Sequence, residues 1–261
     1  GNPMTIAAQS QSKEHEMKIV VFGGTGRIGS QVVDLLREEG HEVVVAAVPE
    51  VDALKGTGIA AALAGADVAV DVTNAMIFDE EEIVSFFTTT SRNILQGEIM
   101  AGVGRHVVLS IVGVDRMNAT SYLAGKVAQE RTVAEGGVPY TIVRATQFQE
   151  FLPGIADMST VDGVVRVPPI LLQPTAAIDV ARTVADVAVH DPGTTVVEVA
   201  GPERARMSEF IEEALRRADD ERTVVEDPEA LYSGVFLPED GLVPAGDARI
   251  GEISFHLRGQ S

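Results

Sequence analysis

Val20-Val21-Phe22-Gly23-Gly24-Thr25-Gly26-Arg27-Ile28-Gly29 decides how the rest of the chain is read. An apolar run breaks into glycines at three-residue spacing (Gly23, Gly26, Gly29). It then continues into the amphipathic pattern Gln31 to Glu39, with Val32, Leu35 and Leu36 inward. A buried strand turning sharply into a helix is the local structure this dictates. Such a loop needs one glycine for the turn and another for close approach of backbone to a pyrophosphate. A last glycine lets helix and strand pack tightly. The helix that starts there points its first backbone N–H groups at the phosphates. The same spacing also makes a tight turn with no ligand. Its place between a buried strand and an amphipathic helix favours a dinucleotide, with Thr25, Arg27 and Ile28 completing the cradle.

Outward from this loop the chain alternates strand and helix. Lys18 to Phe22 and Glu42 to Val48 read as buried strands, Val51 to Leu54 as a weak third, and Asp67 to Val72 as a fourth. His106 to Ser110 and Tyr140 to Arg144 follow as the fifth and sixth. Helical patterns cover Gly58 to Leu63, Glu80 to Ala101 and Tyr122 to Glu135. The second of these opens in an acidic cluster suited to a helix N-terminus. Strands spaced by helices imply right-handed crossovers and an α/β fold with a doubly wound parallel sheet. A Pro-rich segment, Val164 to Pro174, precedes the helix Asp179 to Val189, the strand Thr195 to Ala200 and the helix Ser208 to Ala218. After Asp227 periodicity fades. The expected organisation is a disordered tail over residues 1–16 and one domain over residues 17–261. Its small C-terminal portion is expected over the carboxyl edge of the sheet, where open α/β folds bind ligands.

Composition narrows the functions. The chain has 261 residues, 39 acidic against 20 basic, for a formal charge of −19. That argues against nucleic acid as a direct partner, since phosphate backbones need a concentrated basic surface. No apolar run is long enough to cross a membrane. Cysteine is absent, which removes disulfides, thiolate catalysis and cysteine-ligated metals, and no metal is expected. The same absence fits a reducing cytoplasm. A small-molecule substrate is the expected partner, with the chain working as a monomer or homodimer.

Tyr122-Leu123-Ala124-Gly125-Lys126 is the second signal. Tyr122 and Lys126 lie four apart in a helical segment and share a face. A free tyrosine, with a pKa of about 10, is a poor acid or base near neutrality. A nearby ammonium draws that value toward working range. The phenol would then give a proton to a carbonyl oxygen as hydride arrives. Ser110, where the fifth strand ends, would hydrogen-bond the same oxygen. The bland alternative is a surface helix with an amphipathic tyrosine and a solvated lysine.

The second strand ends Ala46-Ala47-Val48-Pro49-Glu50 and supplies no decisive cofactor-selecting residue in the usual place. Glu50, with Val48 beside it, would reach the adenosine ribose, whereas Arg27 would reach a 2′-phosphate. The cofactor is therefore NAD(P), leaning to NADP with the choice open.

Together these residues resemble the short-chain dehydrogenase/reductase superfamily, and in particular its atypical NmrA-like branch of NAD(P)-binding proteins. The similarity runs from about Met17 to Ala218. Gly23 to Gly29 is similar to the branch's glycine loop, and Leu109-Ser110-Ile111-Val112-Gly113 to its fifth-strand exit. Gly137-Val138-Pro139-Tyr140-Thr141-Ile142-Val143-Arg144 is similar to its sixth strand. Gln173-Pro174, Asp179-Val180-Ala181 and Val199-Ala200-Gly201-Pro202 match its C-terminal hallmarks. The resemblance implies a Rossmann-type fold, a catalytic Tyr122–Lys126 pair with Lys126 also on the cofactor, and Thr73 and Asn74 lining the nicotinamide ribose. The loop after Ser110 departs from the branch's Ser-Ser pattern, and no basic residue follows the second strand.

Met76, Ile77, Phe78, Phe148, Phe151 and Leu152 follow strand ends, on the face where a substrate should lie, with Gln147 as a polar handle. Phe78, Val112, Gln147, Phe148 and Phe151 are the expected substrate contacts, and each also reads as ordinary core. The reading is an NAD(P)H-dependent oxidoreductase acting on a carbonyl or quinone-like group of an apolar molecule. The alternatives are a dinucleotide-sensing regulator without turnover, and a non-redox cyclase, epimerase or dehydratase using the same pocket.

Overall fold

The computed structural model describes residues 16–258. The expected disordered tail, residues 1–16, lies outside the described residues apart from Glu16. Strands β1 (Lys18–Phe22), β2 (Glu42–Ala46), β3 (Val68–Asp71), β4 (Arg105–Ile111), β5 (Tyr140–Ala145), β6 (Val196–Ala200) and β7 (Arg249–Ile250) form one sheet. Their spatial order is β2-β1-β3-β4-β5-β6-β7, and every pairing is parallel. Their centres are short Val, Ile and Ala runs buried on both faces, as a parallel sheet covered by helices requires.

The chain leaves β1 for β2 on one side and returns to β3 on the other. The carboxyl ends of β1 and β3 therefore flank the crevice where such sheets take ligands. On one face α1 (Arg27–Glu38) and α6 (Ala177–Val189) share a core with the strands through Val32, Leu36, Val180 and Val184. The other face is covered by α2 (Ile59–Leu63), α3 (Glu80–Ala101) and α4 (Ser121–Ala134). Asp79 caps α3, accepting the Glu82 N–H at 2.9 Å, and the acidic first turn complements the helix dipole.

The expected strand Val51 to Leu54 is a turn. Asp52 and Thr57 exchange backbone hydrogen bonds of 2.9 and 3.0 Å, with Gly56 and Gly58 at positive φ. A Cβ on Gly58 would sit 2.0 Å from the Glu50 carbonyl oxygen, so the segment folds back too tightly to extend.

The C-terminal portion has its own core. Helices α5 (Leu152–Met158) and α7 (Met207–Arg217) and the strand Val164–Val167 bury Leu152, Ile155, Val165, Phe210 and Ile211 with Leu123 of α4. That packing holds the start of α4 between the sheet and the C-terminal portion.

Under the sheet, His106 of β4 meets Glu98 of α3 at 2.5 Å, both side chains fully buried. Burial alone would lower the His106 pKa, but the Glu98 carboxylate beside it, with Asp71 adding, holds it above its ordinary value. Burial raises Glu98 in turn. A proton held more tightly by the folded chain stabilises it fully below the unfolded histidine pKa of about 6.5, and that stability is lost as pH rises through the folded value. Stability to urea should therefore fall as pH climbs above about 6.5. His106→Leu, which strands Glu98, should cost about 3–5 kcal/mol, and the remaining fall of stability with pH should move to the range where Glu98, freed of the partner that lowered it, loses its proton.

Candidate active site

The glycine loop is closed by contact. A Cβ on Gly29 would lie 1.9 Å from the Gly23 carbonyl oxygen and 2.7 Å from Gly24 Cα. One on Gly23, whose φ is +81°, would lie 2.8 Å from the Thr73 nitrogen. The loop is thus pressed against both α1 and the exit of β3, with no room for a side chain at Gly23 or Gly29. Gly26 is the N-cap of α1, without a side-chain cap and with no acidic residue in the first turn. The first N–H groups of this helix lack intrahelical partners and stay open to an anion. Thr25, Gly26 and Arg27 are exposed, whereas Ile28 is core. This cradle fits a pyrophosphate. Val48 and Glu50 are exposed beyond β2, and Thr73 is half-buried, its N–H donating to Asp71 at 2.9 Å.

The start of α4 is held by the segment entering α3. Ser121, in the left-handed region at φ 53°, donates its N–H to Glu80 at 2.6 Å and its hydroxyl to the Phe78 carbonyl at 3.2 Å. Those two bonds hold a conformation that non-glycine residues seldom take. Tyr122 follows, and its hydroxyl donates to Asn74 Oδ1 at 2.6 Å. The phenol therefore meets the β3 exit beside the glycine loop. Burial pushes its pKa up to about 12.

Lys126 does not reach that phenol. Its ammonium donates to the Leu109 carbonyl at 2.8 Å and to Gln129 Oε1 at 2.6 Å. Phe87 is shared between the two: Lys126 Nζ sits 4.8 Å over its ring, and the Tyr122 ring meets it edge-to-face at 6.1 Å. Burial lowers the Lys126 pKa to about 8, against the pull of Asp71 and Glu130. Burial, and not the ammonium, sets the direction of the phenol's shift, opposite to the lowering expected from the sequence.

Ser110 is a second correction. Its buried hydroxyl donates to Glu130 at 2.6 Å, and Glu130 is held in turn by Arg144. Glu130 lies two turns beyond Tyr122, about 12 Å along the helix, so the structure does not bring Ser110 to the phenol. Val112 is fully buried, and Phe148 packs on the opposite core with α1 and α6. Phe78 and Phe151 are exposed at the rim, and Gln147 is buried. Sequence reading missed Tyr232, a partly buried phenol near Tyr122 and Gln147. Its only local signal is the Ser233-Gly234 turn pair that follows it.

A family model described as NAD(P)H-binding matches residues 23–192. The chain is similar to the (4-alkanoyl-5-oxo-2,5-dihydrofuran-3-yl)methyl phosphate reductase of Streptomyces griseus, 29% identical over 161 residues. That alignment covers 55% of this chain and 54% of the relative. It is also similar to the photosystem II assembly factor Ycf39 of Synechocystis, 26% identical over 153 residues, or 53% of this chain and 47% of that protein. The chain spans about half the length of these curated relatives. Among solved structures, a dTDP-4-dehydrorhamnose reductase from Clostridium acetobutylicum has a TM-score of 0.64 at 17% identity. It covers 81% of this chain and 84% of its own, a likeness of fold.

The cradle gives a direct test. Gly29→Ala would place a methyl against the Gly23 carbonyl, and should weaken NADPH binding at least about tenfold while leaving the far-ultraviolet circular dichroism intact. Unchanged affinity in a fluorescence titration would remove the loop from the binding site.

Proposed function

Because the chain belongs to the NAD(P)H-binding family, we propose that it is an NAD(P)H-dependent oxidoreductase of the short-chain dehydrogenase/reductase type, reducing a carbonyl or quinone-like group on an uncharged, apolar small molecule. The observation that carries this reading is the Tyr122–Asn74 hydrogen bond, which puts a proton-bearing phenol at the β3 exit next to the glycine loop. The first turn of α1 with Gly26, Thr25 and Arg27 would hold the pyrophosphate. Thr73, Asn74 and Lys126 would hold the nicotinamide ribose. When bound, the reduced dinucleotide supplies a hydride to the carbonyl carbon. Tyr122 gives its proton to the carbonyl oxygen, and Asn74 orients the phenol for that transfer. A phenol with a pKa of about 12 keeps its proton at neutral pH, which suits an acid in reduction better than a base in oxidation.

Three of the segments around the phenol support a neutral substrate. Residues 73–79, 147–151 and 231–237 contain no Lys or Arg, only Asp79 and Glu150. Met76, Phe78, Phe151 and Phe236 are exposed on them. A phosphorylated or nucleotide-linked substrate would find no cation there, whereas a neutral apolar one would find surface to cover.

Titration with NADH and NADPH, followed by a carbonyl and quinone panel, tests the reading. Tyr122→Phe should lower kcat by about 10²-fold or more with cofactor affinity unchanged, and Ser110→Ala should leave the rate essentially as it was. Failure to bind either dinucleotide would sink the proposal. Binding with turnover indifferent to Tyr122→Phe would keep the cofactor and remove the proton donor. Binding without turnover would favour a dinucleotide sensor, which the separation of Lys126 from the phenol also fits.

Lys126 adds a pH dependence. Its ammonium is lost as pH passes about 8, so NADPH affinity should weaken above that value. Lys126→Met should bind more weakly at pH 7 and show no such limb; a limb retained in the variant would assign the titration to another group.

A further inference from the structure

The segment where sequence periodicity fades delivers one rigid side chain to the site. Tyr232 and Val235 exchange two backbone hydrogen bonds of 2.9 Å, and between them Ser233 (φ 46°) and Gly234 (φ 78°) are both left-handed. That is the tight turn of type I′ geometry, which fixes the side chains flanking it. The turn is pinned to the start of α4. Thr120 Oγ1 donates to the Ser233 carbonyl at 3.3 Å, and a Cβ on Gly234 would lie 2.9 Å from the same hydroxyl. Tyr122, two residues after Thr120, packs with Tyr232 on one apolar cluster.

From the other side, β5 exits into Thr146 and Gln147. Thr146 donates its hydroxyl to the Gln173 carbonyl at 2.6 Å, and Thr175 donates its N–H to the Gln147 carbonyl at 2.9 Å, so this backbone is fixed. The Gln147 side chain lies against the Tyr232 phenol at 8% exposure, and its Oε1 is buried with no hydrogen-bond partner. Buried side-chain oxygens nearly always have a donor. An oxygen without a donor beside a phenol is the place for a donor on a ligand to pair once the side chain turns it out of its solvent-shielded position.

We propose that Gln147 Oε1, with the Tyr232 hydroxyl beside it, recognises a hydroxyl group on the substrate, so that the preferred substrate is an uncharged ketone carrying a hydroxyl near the carbonyl that Tyr122 protonates. This rests on the carbonyl-reducing role argued above and narrows it. A plain ketone or quinone offers only acceptors and leaves Oε1 unpaired in its complex. A hydroxyketone donates to Oε1 and accepts from Tyr232 through the same oxygen. A site built to pair a hydroxyl rejects the analogue lacking it far more strongly than an apolar pocket discriminates by size. Tyr232 is here a specificity-determining residue, and Tyr122 alone handles the transferred proton.

The test uses α-tetralone and its β-hydroxy derivative as a matched pair, with binding to the 261-residue chain read by calorimetry with and without NADPH. The hydroxy derivative should bind about tenfold more tightly or better. Gln147→Met should erase the preference and Tyr232→Phe should reduce it, both with unchanged NADPH affinity. Equal binding of the two ketones, a preference that survives Gln147→Met, or binding of neither overturns the proposal. Loss of NADPH binding counts against the oxidoreductase role instead, because the ketone preference is measured independently of the cofactor.

Discussion

The buried ammonium of Lys126 is the interaction on which the site depends. An unpaired charge in a protein interior is expensive, so it must be met by partners of fixed geometry. Here the partners come from four elements: the Leu109 carbonyl of β4, Gln129 of α4 itself, Asp71 at the end of β3, and the Phe87 ring of α3. One charge thereby fixes where α4 stands relative to the carboxyl edge of the sheet. Tyr122 lies one turn earlier on the same helix, and its reach to Asn74 follows from that placement. The same tether keeps the ammonium off the phenol.

The electrostatics of cofactor binding are local. A chain carrying −19 repels an anionic dinucleotide at long range. Attraction therefore has to come from the uncapped N-terminus of α1, free of acidic residues in its first turn, and from the exposed Arg27. Such partial charges act only within the first turn of a helix. Close contact is essential, and the absence of a Cβ at Gly23 and Gly29 permits it. The glycines thus serve packing and binding through one geometric fact: the helix start, the loop and the β3 exit touch backbone to backbone.

The sheet was legible because parallel strands buried on both faces leave short β-branched runs, and because α1, α6 and α7 carry a period that no strand can mimic. The bounds of α3, Glu80 to Ala101, follow from its acidic start and the glycine at its end. What escaped was direction. A run such as Val107-Val108-Leu109-Ser110 is apolar on both faces, so the pattern does not say which way the serine points; β4 turns it toward Glu130. Phe148 is apolar after a strand in the same way, and its partly buried ring packs on the far core. Val51 to Leu54 had the composition of a strand, yet the Asp52–Thr57 turn outweighed it. Tyr232 could not be placed at all, since more than a hundred residues separate it from Tyr122 and only the folded C-terminal portion brings them together.

The separation of the phenol from the ammonium bears on the direction of chemistry. At a pKa of about 12 only about one Tyr122 in 10⁵ is ionised at pH 7. A base is then nearly absent, whereas the acid form is fully populated. Its proton is held in a hydrogen bond to Asn74, a residue of the strand exit that also touches the glycine loop through Thr73 and Gly23. Proton donor and phosphate cradle are therefore joined through three backbone residues, Val72 to Asn74, and not through Lys126. Reduction needs that proton delivered at the place where hydride arrives, and this short link between the two supplies the coincidence.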